Sequence, residues 1–511
     1  MVLGDSLMNN SKKVSLNLTL GIASEALTIV LGIVVPRLIL TSYGSEVNGL
    51  LSSVTQIYSY VALLEAGIGT ATVQALYSTV GDNDKEGTNA ILAATNRYYH
   101  RTGILYLVAI LFFSTIYPIV VSTEIPLITV VLVIVFNGLG SVINYFFQAK
   151  YFLLLQAEGK NYIQTSLTMV INVFKNIAKI VLMSLGFDVV FVQAIAMVVS
   201  LIQMIYITCY IKKSYKWIDL SVEPNFTAIS QSKNVLVHQI SGLIYNNTDT
   251  ITLTLFCGLK VVSIYSMYTL LFSMISTALS TVSSSFLFAL GQKFNVDKKR
   301  FMKLYDAYEL YYMTLVFALY SVANFFILPF MKLYTAGVND INYIDRFLPL
   351  MFISTYLLSC GRSASNQAIN FAGHFKKTQN RAIAEAVINI VVSVIAVQFL
   401  GIYGVLIGTI AALLYRSNDI ILYASHHVLN RKALITYKRW GVNLAIFILV
   451  LFINQFINIA LNSYLKIIAV CIPYTIVTLI LFFGVDSLVD RSTASFTIDL
   501  IKSTVFKKAR M

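Results

Sequence analysis

Two lysines stand four residues apart in a stretch whose other residues are typical of a membrane interior. The stretch from 170 to 185 reads "VINVFKNIAKIVLMSL", and the lysines are Lys175 and Lys179. Insertion scales give about 3 kcal/mol as the cost of one charge at the bilayer centre. A chain keeps such charges where they contact water or an opposite charge. The pair therefore predicts a hydrated site that can bind an anion.

Both lysines share one helical face with other polar side chains. That face comprises Thr165, Thr168, Asn172, Lys175, Asn176 and Lys179. Later apolar segments carry comparable stripes: His238, Ser241, Tyr245, Asp249 and Thr252 in one, Ser273, Ser276, Ser280 and Ser283 in the next, and Thr355, Ser359, Arg362, Asn366 and Asn370 in a third. Stripes on several helices predict a shared water-filled cavity. The alternative is hydrogen bonding between packed helices, and for the four serines the two interpretations are equally open.

The predicted substrate-binding residues are the basic groups inside apolar segments together with neighbouring amides. They are Lys175, Lys179, Arg362, Arg37, Arg416, Asn172, Asn176, Asn246 and Asn366. Arg37 and Arg416, like Glu385 and Asp419, lie near predicted helix ends. For these four residues, a side chain that reaches the lipid headgroups is an equal alternative to a ligand-binding role.

Embedded acids are the candidates for ion coupling, because burial moves carboxyl groups toward proton exchange near neutral pH. The candidates are Glu25, Glu65 and Asp249, with His238 as a further proton group. The same acids can instead neutralise the lysines. No cofactor is predicted, and the coupling ion would be a proton or sodium.

Neither catalytic nor metal-binding motifs occur. The cysteines Cys209, Cys257, Cys360 and Cys471 are scattered singly, without metal-ligand spacing. A GxxxxGK[ST] nucleotide motif is absent, which excludes an ATP-driven pump within this chain.

The residues that position these groups are strongly apolar: 57% of the 511 residues are hydrophobic and 12% are charged. This composition predicts an all-α polytopic membrane protein. We expect about fourteen membrane helices. Their predicted extents are 14–40, 48–79, 98–121, 126–149, 161–185, 188–211, 234–257, 261–291, 306–334, 347–371, 382–399, 402–425, 440–460 and 464–485.

Basic residues alternate between the links of these helices. With the N-terminus placed in the cytoplasm, 28 lysines and arginines fall in inside segments and four, Lys260, Lys332, Arg346 and Lys466, in outside links. The positive-inside rule then predicts that both termini are cytoplasmic. The net charge of +14 reflects this topology and attraction to anionic lipids, rather than a nucleic-acid partner.

Short matches recur about 215 residues apart. "GSEVNGL" at 44 matches "GLKVVSI" at 258, and "QA", "VIN" and "LG" at 148, 170 and 185 recur at 367, 387 and 400. Six helices per copy predict two parallel-repeat lobes around a central cavity. The predicted domains are an N-lobe at 1–211, a cytoplasmic linker at 212–233, a C-lobe at 234–430, two further helices at 431–485 and a basic tail at 486–511. The segment "FTIDLIKSTVFKK" (496–508) in this basic tail is equally compatible with an interfacial helix and with a disordered tail.

A family resemblance follows from two stretches. "YGSEVNGLLSSVTQIYSYVALLEAGIGTATVQALY" (43–77) resembles the turn between helices 1 and 2, together with helix 2, of Wzx-type flippases. "NNTDTITLTLFCGLKVVSIYSMY" (246–268) resembles the opening of their second lobe. These proteins belong to the multidrug/oligosaccharidyl-lipid/polysaccharide (MOP) exporter superfamily. The resemblance implies twelve helices in two lobes plus two more, a cationic cavity, and alternation between inward and outward openings.

With that resemblance, we expect a bacterial cytoplasmic-membrane flippase that carries an undecaprenyl-diphosphate-linked oligosaccharide to the outer leaflet. Its partners would be the lipid-linked glycan, membrane lipids, and the glycan polymerase and glycosyltransferases of the pathway. A cation-coupled multidrug antiporter of the same superfamily is the nearest alternative. A membrane polysaccharide polymerase or ligase is a third, although no predicted outer link is long enough for a catalytic loop.

Overall fold

The computed structural model describes residues 10–65, 67–230, 233–457 and 459–508, and these residues form helices joined by short links. The α-helices are α1 (Asn10–Val61), α2 (Ile68–Gly81), α3 (Lys85–Val120), α4 (Leu127–Ile143), α5 (Ala149–Ala157), α6 (Asn161–Ser184), α7 (Val189–Ser214), α8 (Lys233–Phe256), α9 (Leu259–Phe294), α10 (Lys298–Tyr334), α11 (Leu348–Gly361), α12 (Ser363–Phe371), α13 (Phe375–Leu400), α14 (Ile402–Ala424), α15 (Leu434–Asn454), α16 (Tyr464–Val489) and α17 (Arg491–Lys508). A 3-10 turn spans Ala62–Glu65, and π-helical turns span Asn144–Gln148 and Ser425–Leu429.

Within the described residues, eleven helices are long and apolar enough to cross a membrane. The first of them contains two predicted helices, because α1 is broken at Gly44, whose φ of 81° is not helical. Two more predicted helices correspond to α8 and to the α11–α12 pair, which gives the fourteen expected. The prediction of an all-α polytopic membrane protein is confirmed.

Several helices begin well before their apolar segments. Asp84 caps α3, its carboxylate accepting a hydrogen bond from the Gly87 N–H at 2.9 Å, and Asp297 caps α10 in the same way. α5 likewise continues the fourth predicted helix to Ala157. The predicted end of this helix at 149 was therefore wrong. Lys150 lies within the helix, 6% exposed, and its ammonium group donates to the Phe146 carbonyl at 3.2 Å.

Positive-φ glycines recur at the spacing of the sequence repeat. Their pairs are Gly44 with Gly258, Gly159 with Gly373, and Gly186 with Gly401, at offsets of 214, 214 and 215. Left-handed backbone at these points requires glycine or strains any other residue. The weak letter matches in the sequence thus coincide with equivalent breaks between helices.

The chain divides into two compact units, Met1–Ile264 and Tyr265–Met511. The predicted linker is not a free tether within the first unit. Tyr215 and Ile229 are buried in an apolar cluster with residues of α2, α3, α5 and α7, and Trp217 packs against it. The Asn89 amide donates to the Trp217 carbonyl at 3.1 Å and so fixes this segment to α3. The predicted lobe limits stay a prediction.

In the second unit, α13 and α14 approach closely through small residues. A Cβ atom added at Gly404 would lie 2.3 Å from the Ala396 backbone, and one at Gly408 would lie 2.1 Å from the Ser393 hydroxyl. The spacing of the two glycines is that of the small-xxx-small motif of membrane helix pairs. This contact sets the distance between the charged side chains of both helices.

The C-terminal segment is helical as α17 in the described residues, so the disordered alternative is wrong there. Thr497, Leu500 and Ile501 contribute to an apolar cavity of 410 Å³ that α17 forms with α9, α10 and α16. That α17 lies on the inner leaflet of the membrane stays a prediction.

Candidate functional site

The polar face of α6 lies opposite an exposed apolar stripe. Val170, Phe174, Ile177 and Val181 are 46–64% exposed, as expected for side chains that contact lipid. At 100° per residue, the lysines and asparagines of α6 project about 180° away from this stripe. These polar side chains are half-buried and lie on the face opposite the exposed stripe.

Among the residues that the structure describes, neither lysine on this face has an acidic partner. The ion pairs found among residues 10–65, 67–230, 233–457 and 459–508 do not include Lys175 or Lys179. Neutralisation by Glu25, Glu65 or Asp249, the alternative that the sequence left open, is therefore not observed there. The Asn176 amide donates to the Asn172 carbonyl at 2.7 Å, which orients it beside the lysines. We call Asn172, Lys175, Asn176 and Lys179 the lysine face.

The embedded arginines of the second unit are instead ion-paired. Arg362 lies between α11 and α12 and contacts Glu385 of α13 at 2.7 Å. Arg416 of α14 contacts the same carboxylate at 3.4 Å and Asp419 at 2.7 Å. Arg381 also pairs with Asp419. We call these five residues the arginine cluster; it contains three cations and two carboxylates.

Arg416 does not reach for the headgroups. It lies in the middle of α14 and is only 5% exposed, so the headgroup alternative is wrong for this residue. Glu385, in α13, is 8% exposed and links two arginines. Both side chains belong to α13 and α14, the two helices that approach closely at Gly404 and Gly408.

The other predicted ligands are distributed over both units. Arg37 is half-buried in α1, directly after Pro36, and has an interaction partner. Asn366 is half-buried in α12, one turn after Arg362. The side chains of Asn246 and His238 lie outside what the structure describes, although their backbone belongs to α8.

The acidic candidates have different surroundings. Glu65 ends the 3-10 turn between α1 and α2 and accepts a hydrogen bond from the buried Tyr99 hydroxyl at 2.8 Å. Asp249 is 4% exposed in α8 and has a partner, whereas Glu25 is exposed on α1.

Two of the four serines of α9 serve as contacts between helices. Ser283 hydrogen-bonds the Tyr308 hydroxyl of α10 at 2.5 Å, and Ser276 contacts the Cys360 sulfur of α11 at 3.7 Å. Ser280 is exposed. The packing interpretation is confirmed for Ser276 and Ser283.

A second charged network was missed by the sequence analysis. Arg439 contacts Glu309 at 2.6 Å and Asp490 at 2.8 Å, and Arg431 contacts Glu309 at 2.6 Å. Both arginines also pair with Asp306. The two arginines were assigned to a cytoplasmic link, but they are buried here. The available signal was the spacing of Asp306 and Glu309, which places two acids on one face of α10.

Long apolar helices that carry embedded cationic groups define the class of polytopic helical membrane proteins, which includes transporters. Solved structures with the same fold belong to that class. A lipid II flippase, MurJ, in an inward closed conformation is 13% identical and aligns over 93% of this chain and 99% of its own with a TM-score of 0.67.

Two MATE transporters also share the fold. An inward-facing MATE family transporter of the MOP superfamily is 16% identical over 78% of this chain and 95% of its own, with a TM-score of 0.59. The Vibrio cholerae MATE transporter VcmN, in a mutant form, is 13% identical over 83% of this chain and 99% of its own, with a TM-score of 0.52. No family profile and no curated protein matches the sequence. At these identities the comparison shows that the chain has the fold of MOP superfamily transporters.

Proposed function

We propose that this protein is a flippase that moves a polyprenyl-diphosphate-linked oligosaccharide from the cytoplasmic to the outer leaflet of a bacterial cytoplasmic membrane. The observation that carries the proposal is the lysine face. Its two cations lie on the side of α6 away from lipid and have no acidic partner among the described ion pairs. A diphosphate would supply the missing negative charge.

The chemistry of the face suits a diphosphate linked to sugars. Lysine ammonium groups bind phosphate oxygens as point charges through up to three donors each. Lys175 and Lys179 are one turn apart, which suits two adjacent phosphoryl groups. The amides of Asn172 and Asn176 can hydrogen-bond sugar hydroxyls. The glycosyltransferases and polymerase of the glycan's pathway would be the protein partners.

The direct test uses the double substitution Lys175→Ala/Lys179→Ala. We expect at least a tenfold loss of transport of a fluorescent polyprenyl-diphosphate glycan into the outer leaflet of proteoliposomes, with unchanged insertion and folding. The matched control is Lys212→Ala/Lys213→Ala, which removes two exposed lysines at the end of α7. Wild-type transport by the first variant would contradict the proposal.

Direction would come from a proton or sodium gradient or from consumption of the product outside the cell. Glu65 and Asp249 are the acids placed to sense a cation. Replacement by the amide, Glu65→Gln or Asp249→Asn, should change how transport depends on the imposed gradient. If the dependence is the same as in the wild type, that residue has no coupling role.

A second candidate function is cation-coupled drug antiport, which one region of the first unit favours. Glu65 lies beside Tyr99, whose ring is 5.9 Å from that of Tyr145, and Tyr106 stands 5.5 Å from Tyr145. A carboxylate with aromatic neighbours can bind an organic cation. Efflux of ethidium from cells expressing the protein, lost in Glu65→Gln and retained in the lysine double variant, would favour this function over glycan export.

A further inference from the structure

Asp486 is a buried carboxyl group with neutral hydrogen-bond partners. It lies near the end of α16 and is 2% exposed. Its Oδ2 accepts hydrogen bonds from the Asn443 amide of α15 at 2.9 Å and from the Thr314 hydroxyl of α10. No ion pair in the described part of the chain includes it. Burial of an ionised carboxylate without a paired cation is unfavourable.

The Thr314 hydroxyl can serve both protonation states of this carboxyl. Its oxygen lies 2.8 Å from the Leu310 carbonyl oxygen as well as in hydrogen-bond contact with Asp486. A hydroxyl carries one hydrogen and also accepts. When Asp486 is ionised, Thr314 donates to it. When Asp486 is protonated, it donates to Thr314, whose hydrogen turns to the Leu310 carbonyl. The same atomic positions therefore satisfy both states.

The surrounding charges favour uptake of a proton. The titratable and charged groups that face Asp486 or the network beside it are Asp306 and Glu309 on α10, Arg431 before α15, Lys438 and Arg439 on α15, Asp490 between α16 and α17, and Arg491 on α17. Lys438 and Arg491 are exposed. The network contains two buried carboxyl groups, Glu309 and Asp486, two half-buried ones, Asp306 and Asp490, and two guanidinium groups. With all six groups ionised it would hold two more negative than positive charges, because the exposed Lys438 and Arg491 are screened by solvent. One bound proton halves this excess.

Water has a route to this group. Asp486 lines a cavity of 380 Å³ between α10, α15, α16 and α17, together with Asp306, Asp490 and Thr493. The cavity also includes the exposed Arg491, so it opens at the protein surface. A polar cavity of this size holds several water molecules, through which a proton can pass between bulk solvent and the carboxyl group.

We propose that Asp486 is a proton-binding site, held by Thr314 and Asn443 and reached through this cavity. Loading and release of the proton change the charge at the junction between α10 and the helices α15 to α17. The site belongs to neither the lysine face nor the previously identified acids, and it does not depend on which substrate is carried.

Infrared difference spectroscopy of the full-length protein in lipid nanodiscs, titrated with pH, tests the proposal. We expect a band of a buried protonated carboxyl that is absent in Asp486→Asn and present in Asp499→Asn, a matched change at an exposed position of α17. A spectrum of Asp486→Asn that matches the wild type would overturn the site. Because this readout needs no substrate, its outcome is separate from that of the flippase test.

Thr314→Val provides a second test that keeps Asp486 in place. It tests the proton-binding site even if Asp486→Asn does not fold. The ionised carboxylate loses a charge-assisted hydrogen bond in this variant, and such bonds are stronger than those of the neutral acid. The midpoint of the carboxyl band should therefore move to higher pH by about one unit. An unchanged midpoint would contradict the proposed role of the hydroxyl.

Discussion

The lysine face and the arginine cluster both place cations inside membrane helices, yet they satisfy them differently. Lys175 and Lys179 have no carboxylate among the described ion pairs, whereas Arg362 and Arg416 share Glu385 at 2.7 and 3.4 Å. The lysine face is half-buried, and Arg416 is 5% exposed. A buried charge with its partner is part of the protein's internal structure. A half-buried charge without such a partner in the described chain is available to a ligand.

This difference assigns separate roles to residues that the sequence placed in one group. The predicted ligand set combined lysines and arginines because both are basic and membrane-embedded. The ion pairs of the second unit indicate that an anion would have to compete with Glu385 and Asp419 for Arg362 and Arg416. The lysines face no such competition in the described chain, so the proposed function depends on them.

The strongest test of the comparison removes the shared carboxylate. In Glu385→Gln, Arg362 loses the carboxylate that it contacts and Arg416 keeps only Asp419. Breaking a buried ion pair typically costs about 3–5 kcal/mol. We expect a large drop in the thermal unfolding temperature of the detergent-solubilised protein. Glu86→Gln, at an exposed position in the first turn of α3, is the control. Equal stability of Glu385→Gln and the wild type would show that the cluster is not structural.

A smaller effect is expected from separating the helices that hold the cluster. Gly408→Ala places a Cβ atom 2.1 Å from the Ser393 hydroxyl, so α13 and α14 must move apart. Overpacking of this kind typically costs about 1–3 kcal/mol. Gly441→Ala, where a Cβ would meet nothing within 4 Å, is the control. If both variants unfold alike, the glycine contact does not position Arg416 and Glu385.

Replacement of the lysines should leave stability nearly unchanged. Lys175→Gln/Lys179→Gln removes two like charges one turn apart, whose repulsion costs about 0.2–0.5 kcal/mol in a helix. We expect a slightly higher unfolding temperature together with the loss of transport. The charge-conserving variant Lys175→Arg/Lys179→Arg should keep most of the transport. Marked destabilisation of the glutamine variant would show that the lysines have an internal partner.

The smallest effect concerns pH and the second ion-paired network. Partial burial alone raises the pKa of Asp490, but hydrogen bonds from Arg439 and Thr493 outweigh it and lower the pKa below its ordinary 3.8. Its stabilising contribution is thus fully present above pH 3.8 and lost as the pH falls through the lowered folded-state pKa. Asp490→Asn should unfold at a lower temperature than wild type at pH 7, and the difference should vanish in strong acid. A difference independent of pH would exclude this ion pair as its cause.

Features that repeat locally could be predicted from sequence. Apolar segments gave the number of membrane helices, and helical spacing placed Asn172, Lys175, Asn176 and Lys179 on one face. The repeated matches near 44 and 258 identified equivalent glycine breaks. Each of these signals lies within one helix or repeats at a fixed distance along the chain.

Features that depend on packing between distant segments could not be predicted. Arg431 and Asp306 are 125 residues apart, and no feature of either segment indicates that the two are in contact. Hydropathy also reports only the part of a helix inside the hydrocarbon. It therefore missed the polar first turns of α3 and α10 and placed Lys150 in a link. Neighbouring helices decide which cations have a carboxylate partner, and the sequence of one helix does not show its neighbours. The prediction therefore placed the arginines and the lysines in one group.

The packed segment after α7 has a consequence for experiments that divide the protein. A basic stretch such as 212–233 is the obvious place to cut a two-lobed transporter and express its halves separately. Here Tyr215 and Ile229 are embedded among the helices of the first unit, so a break there would expose apolar surface and invite aggregation.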